Sequence, residues 1–460
     1  MTIEPLYGSY RDPSGFVFCR EGSVYRAIRS AYQPQFDHLI ASGLADELHR
    51  RGLLINHTDV TPLFPLADNI STVLLPEQVP FISYPWEWTF HQLKDAAILT
   101  VEIQQIALDH GMILKDASSL NIQFLRGQPV FIDTLSFDFY VLGKPWVAYR
   151  QFCEYFLGPL AVMGYVDSEL GPLTQFRGGN IPLSQCVRLL GKRGTFNFGV
   201  FMHLRMHDLM RRRVLNRNGG PPAPRGSMSK ESLLGLLHSL KHSIKKIEPR
   251  QENSEWHSYY STCQLGAEYL KHKEAAILEL VREIRPTSLL DFGANRGTFS
   301  KLAAAEGIPV VACDADRASI DSLYLEIRAS DEKNLLPLVV DLCNPTPPAG
   351  WMNKEFSPFI ERAKADLGLA LALIHHLAIG RNLPFAKIAE MFHQCCNSLI
   401  IEFVTKDDPN VRIMLQGRTD IFTDYTQGGF EKAFGRVFKI LRKIELGSST
   451  RTLYRMEKIP

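Results

Sequence analysis

Through the second half of the chain, short apolar runs alternate with amphipathic stretches, and the runs end at acidic residues or histidines. The stretch 267–284 predicts a helix; 289–290 then reads as a strand, 298–306 as a helix and 309–313 as a buried strand. Helix 318–329, strand 338–340, a helix closing at 363–366, strand 367–373, helix 384–393 and strand 398–401 continue the alternation. Unbroken apolar runs separated by helices predict a parallel, doubly wound sheet, with ligands at the carboxyl ends of its strands. The tail differs. Segments 437–446 and 451–457, joined at Gly447 and two serines, read as an antiparallel hairpin.

The first half mixes the two periods. Segments 15–18 and 23–28, joined by Glu21 and Gly22, read as a β-hairpin, and a helix follows with Phe36, Leu39, Ile40, Leu44 and Leu48 on one face. A strand is expected at 80–84 and a long helix at 90–110. Between the halves, 217–227 is rich in Gly and Pro. The chain is therefore expected to divide into an N-terminal α+β unit (1–214), a linker (215–228) and a C-terminal α/β unit (229–460). Arg211, Arg212 and Arg213 before the linker, and Lys241, Lys245 and Lys246 after it, read as solvated helix ends in preference to a polyanion-binding patch.

Composition adds bounds. A chain of 460 residues is too long for one ordinary core, and 45% hydrophobic with 22% charged residues is globular. A net charge of +2 gives no global case for nucleic acid or a membrane. Eight cysteines without C-x-x-C pairs suit reduced thiols. His393, Cys395 and Cys396 lack the spacing and the second pair a metal site needs, so no metal is expected there. The N-terminus lacks the features of a signal peptide, and the apolar run 367–373 is too short to span a bilayer. A cytoplasmic protein is expected.

The stretch 288–300, Ser-Leu-Leu-Asp-Phe-Gly-Ala-Asn-Arg-Gly-Thr-Phe-Ser, is a strand, a tight turn and a helix start. Its D-x-G-x-x-x-G pattern resembles motif I of class I S-adenosylmethionine (SAM) methyltransferases. Asp314 lies 23 residues after Asp291, and Asp341 another 27 on, each at a predicted strand end. Alone, each acid reads as a cap. In register with the glycine turn and the terminal hairpin, they extend the resemblance over about 200 residues. It implies a Rossmann-like methyltransferase sheet closed by an antiparallel hairpin, with SAM as cofactor. Gly293, Asn295 and Gly297 would hold the methionine part of SAM, Asp314 the ribose hydroxyls and Asp341 the adenine amino group; Asp291 completes the motif.

Methyl transfer from a sulfonium asks the protein for orientation and for a proton acceptor near the ends of the fourth and fifth strands. His375 and His376 follow the fourth, and Glu402 ends the fifth; packing and capping are their structural alternatives. Asn344-Pro-Thr-Pro347 is similar to a motif of nucleobase methyltransferases but follows the third strand, so it reads as a turn. Trp256, Tyr259 and Tyr260 could form a lid or simply pack. Arg418, Asp420, Asp424 and Tyr425 sit in an insert suited either to substrate contact or to salt bridges.

In the N-terminal unit, Asp116 and Asn121 in a D-x-x-x-x-N pattern, followed by Asp133 after an apolar run, resemble the catalytic loop and metal-binding Asp of protein kinases and aminoglycoside-type kinases. That resemblance implies Asp116 as base, Asn121 and Asp133 on Mg²⁺, and ATP. Departures count against phosphoryl transfer: no lysine occurs before Lys94, with Arg20 or Arg26 only an imperfect substitute, no G-x-G-x-x-G is present, and Leu135 stands where a D-F-G glycine would. The expectation is an accessory or recognition domain ahead of an enzyme methylating a hydroxyl or amine of a small molecule, of natural-product or saccharide type. Nucleic-acid and membrane partners are not expected. A bifunctional kinase–methyltransferase and a non-catalytic SAM-binding scaffold are the alternatives.

Overall fold

The computed structural model describes residues 4–65, 69–193, 197–215, 227–250, 267–416, 419–447 and 449–459. It divides into two compact units, Met1–Glu252 with Pro348–Phe356, and Asn253–Pro347 with Ser357–Pro460.

In the first unit, β1 (Gly15–Arg20) and β2 (Ser23–Arg29) form the expected hairpin, turning at Glu21 and Gly22 with φ of 53° and 79°. Together with β3 (His57–Asp59) and β4 (Ile70–Pro76) they make an antiparallel sheet of order β1-β2-β4-β3. The single helix expected around 36–48 is two, α1 (Gln33–Ala41) and α2 (Leu44–Arg50). Gly43 takes φ 78° between them and ends the first ladder. No strand forms at 80–84. There the Ser83 N–H donates to Gln123 Oε1 and its carbonyl accepts from Gln123 Nε2, both at 2.9 Å, so side-chain bonds replace a ladder. Helix α3 (Phe90–Asp109) starts from a Thr89/Gln92 capping box and is buried along most of its length. After it, β5 (Met112–Leu114) pairs with β8 (Phe137–Phe139), and β6 (Ile122–Leu125) with β7 (Gln128–Phe131).

The Gly/Pro stretch is not the division between the units. Helix Lys230–Lys245 packs on α3: Lys94 Nζ donates to the Ile247 carbonyl at 2.7 Å, and Lys230 pairs with Asp109 at 2.9 Å. The buried Lys94 ammonium needs the Ile247 carbonyl as its acceptor, so 229–250 belong with the first unit, not with the second as the linker reading had it.

The second unit holds a seven-stranded sheet of order β11-β10-β9-β12-β13-β15-β14. The strands are β9 (Leu289–Phe292), β10 (Val310–Asp314), β11 (Leu335–Val339), β12 (Ala365–Ala370), β13 (Cys396–Val404), β14 (Phe438–Glu445) and β15 (Arg451–Lys458). The first five run parallel, while β15 lies antiparallel between β13 and β14. This sheet order with its closing antiparallel strand is the class I methyltransferase fold. Residues 365 and 366, expected in a helix, already lie in β12, and 371–373 have left the sheet, with Ala372 at φ 51°.

Candidate functional site

The turn after β9 is built by its two glycines. Gly293 and Gly297 take φ of 77° and 67°, where L side chains are strained. A Cβ on Gly297 would stand 2.7 Å from the Leu323 methyls, and one on Gly293 would stand 3.1 Å from Leu373. The Gly293 and Ala294 N–H groups bond the Cys313 carbonyl at 2.8 and 3.0 Å, fastening the turn to the end of β10. Asp314 ends β10. Its carboxylate accepts from the Asn295 N–H at 2.8 Å and the Asp316 N–H at 2.9 Å. Asp341 follows β11 and accepts from the Cys343 N–H at 2.9 Å. Asp291, the penultimate residue of β9, is buried and accepts from Ser300 Oγ at 2.5 Å; burial raises its carboxyl to about 6, with Asp314 adding to the rise. Asp291, Asp314, Asp341 and the Gly293–Asn295–Gly297 turn therefore share one edge of the sheet. Asn344 hydrogen-bonds back to the Asp341 carbonyl as a turn after the third strand of the unit.

His375 and His376 open the helical turn beyond β12, their rings 4.0 Å apart. His375 is fully buried, with neither ring nitrogen hydrogen-bonded, and burial holds it well below its ordinary range. His376 is half-buried and lowered to about 4, so both imidazoles are neutral at pH 7.

Glu402 is differently placed. Lys273 Nζ lies 2.6 Å from one carboxylate oxygen, Arg451 Nη1 lies 3.4 Å from the other, and the Tyr269 hydroxyl donates to it as well. Arg451 also forks onto Asp408, with Nε at 2.8 Å and Nη2 at 3.3 Å. All four charged groups are buried. Burial alone would raise the Glu402 carboxyl, but Lys273 and Arg451 hold it at about 2. A carboxylate so held is a counter-charge and a poor proton acceptor. The sequence reading missed Lys273, Arg451, Asp408 and Tyr269. One signal was present: Tyr269, Lys273, Ile277 and Leu280 share a face of helix Ala267–Ile284, which puts a lysine in its apolar stripe.

In the insert, Tyr425 is buried and donates to the Val404 carbonyl at 2.7 Å, and Asp420 pairs with Lys406 at 2.7 Å. Both act structurally, and Asp424 is exposed. Arg418, Trp256, Tyr259 and Tyr260 lie outside the described residues.

In the first unit the loop brings Asp116, Asn121 and Asp133 together. Asn121 Nδ2 donates to Ser136 Oγ at 3.1 Å, Ser136 donates to Asp133, and the Asp133 charge adds to the burial that raises Asp116. Asp133 is occupied, however. Arg26 Nη1 on β2 lies 2.6 Å from its Oδ1, and the Leu135 N–H donates to the same oxygen at 3.3 Å. Lys115 is spent on Ser14 at 2.6 Å and on the Tyr32 ring.

No family model matches the chain. Over 462 aligned residues it is 33% identical to nodulation protein NoeA of Rhizobium meliloti (strain 1021), covering 98% of this chain and 95% of that protein. The chain belongs to the NoeA family. Coverage this complete makes both units part of the NoeA-family architecture. Among solved structures, the bifunctional kinase-methyltransferase WbdD is 14% identical over 41% of this chain and 39% of its own (TM-score 0.28). N-methyltransferase NodS from Bradyrhizobium japonicum WM9 is 10% identical over 43% and 99% (0.32). Magnesium protoporphyrin IX methyltransferase ChlM from Synechocystis PCC 6803 is 14% identical over 44% and 93% (0.32). At these scores the likenesses add nothing to the fold, which rests on the sheet order itself.

Proposed function

We propose that the second unit is a SAM-dependent methyltransferase acting on a hydroxyl or amine of a small molecule, of natural-product or saccharide type. One observation carries this reading: the carboxylates of Asp291, Asp314 and Asp341 stand at three neighbouring strand ends beside a turn that only glycine fits. Asp314, aligned by two backbone N–H groups, is suited to accept from both ribose hydroxyls. The 293–297 turn at the head of helix Thr298–Ala305 suits the carboxylate of the methionine part, and Asp341 suits the adenine amino group. When bound, SAM supplies a methyl group on a sulfonium. The chain's own work is to orient the acceptor, exclude water and take its proton. His376 is the proposed acceptor of that proton, at a ring nitrogen, with buried His375 as the positioning residue packed on it. Glu402 is assigned the structural role its ion pairs describe.

The first unit is proposed as an accessory or recognition domain. Arg26 on Asp133 stands where a phosphoryl-transfer site would need a free metal ligand. Calorimetry of the full chain with SAM tests the main reading, and failure to bind SAM would sink it. Asp314→Ala should weaken binding at least tenfold. His376→Ala should lower kcat while leaving SAM affinity unchanged. SAM binding with no methyl transfer to any hydroxyl or amine acceptor tried would instead favour the scaffold.

A further inference from the structure

A helix of the first unit carries features that methyl transfer does not use. It runs from Phe198 to Leu215, passing through one π turn at Phe201–Met206. One side is packed: Val200, His203, Leu204 and Asp208 are all buried. The other presents apolar side chains to water, with Phe198 77% and Met210 56% exposed, and Met202 and Leu209 exposed beside them. Phe198 and Met202 lie one turn apart, and Leu209 and Met210 follow beyond the π turn, so apolar exposure continues along the helix as a stripe.

The chain around the stripe is cationic, and Arg205 Nη1 on the helix donates to the Gly191 carbonyl at 3.3 Å, which brings 191–193 beside it. From 188 to 213 the chain has seven Arg and Lys against one acid, Asp208, which is buried and already paired with Arg211 at 3.2 Å and Arg212 at 2.7 Å. Arg188, Lys192 and Arg193, just before the helix, are exposed. The chain's net charge of +2 hides this because the balancing acids lie elsewhere. From sequence, Arg211–Arg213 read as a solvated helix end, with a polyanion-binding patch as the weaker alternative.

The complement of an apolar stripe inside a cationic rim is a surface that is apolar beneath and anionic above. A second copy fits poorly, since a two-fold contact would set the same cations against each other. We infer that this helix docks the protein on an anionic membrane surface, lying in the plane of the headgroups with Phe198, Met202 and Leu209 turned toward the acyl chains. Among the described residues no helix is long and apolar enough to cross a membrane, so this attachment is peripheral.

Vesicle flotation of the full chain tests it, using phosphatidylcholine vesicles with and without phosphatidylglycerol, at low and high salt. Flotation is expected only with the anionic lipid and should fall as salt rises. Leu209→Glu/Met210→Glu and Arg193→Glu/Arg213→Glu should each lower partitioning by about tenfold or more, with thermal transitions and SAM affinity unchanged. No flotation at low salt, or flotation that neither variant alters, would overturn the inference. So would a dimer in sedimentation that Leu209→Glu/Met210→Glu dissociates, since the stripe would then be a self-association surface.

Discussion

Glu402→Gln separates a general base from a buried counter-charge. The network around Glu402 holds two cations, Lys273 and Arg451, and two anions, Glu402 and Asp408, so the amide leaves one buried positive charge uncompensated. The carboxyl sits at about 2 against an ordinary 4.5. On the carboxyl's side this corresponds to about 3 kcal/mol of stabilisation at pH 7, while burial lowers Lys273 and offsets part of it. Removing one partner of a buried ion pair costs about 3–5 kcal/mol, which agrees. For a unit of about 200 residues this is a fall of about 6–12 °C in the melting transition. Calorimetry of the full chain reads it, the relevant transition being the one SAM raises. The sign with pH follows from the depressed folded value: the contribution is full above the ordinary 4.5 and is lost as pH falls through about 2. The gap between wild type and variant should therefore narrow as acid is added below about pH 5. Turnover, measured well below both transitions, should stay within about tenfold of wild type. A loss of about a hundredfold or more with an unmoved transition would refute the structural role and return Glu402 to the chemistry.

Asp291→Asn should act in the opposite sense. Burial raises this carboxyl from 3.8 to about 6, so its favourable contribution is complete below about pH 4 and is lost as pH rises through 6; the variant should melt higher at pH 8, by about 3 kcal/mol in stability, and equally at pH 4. SAM titration of the same variant should show weaker binding, the mark of a carboxylate kept for a ligand. Gly297→Ala forces a Cβ to 2.7 Å from Leu323 at φ 67°, and should cost about 1–3 kcal/mol in melting together with SAM affinity. ATP with Mg²⁺ should not shift the thermal transition of the intact protein, because Arg26 holds Asp133; a rise that Mg²⁺ strengthens would revive phosphoryl transfer.

What could be read from the sequence was local in character. The glycine turn, the acids at strand ends and the strand–helix alternation each lie within a few consecutive residues, and the structure places them at one sheet edge. Gly43 was an unused signal: within an apolar helical stripe it could have marked the break between α1 and α2. The extended segment at 80–84 was unreadable because its partner is the side chain of Gln123, forty residues away. Of the Glu402 network only Lys273 left a trace, as a lysine in an apolar helical stripe; the pairing itself was beyond reach for the same reason, since its members lie far apart along the chain. Its geometry also changes the meaning of the terminal hairpin, which served in the sequence only as a fold marker. Arg451 is the first residue of β15, and β15 runs antiparallel to β13 so that Arg451 meets Val404 in register, two residues from Glu402. Had β15 run parallel, its first residue would lie at the opposite end of β13, far from Glu402. The antiparallel closure therefore carries a cation to the end of β13 where Glu402 stands, and the fold marker itself completes the buried charge network.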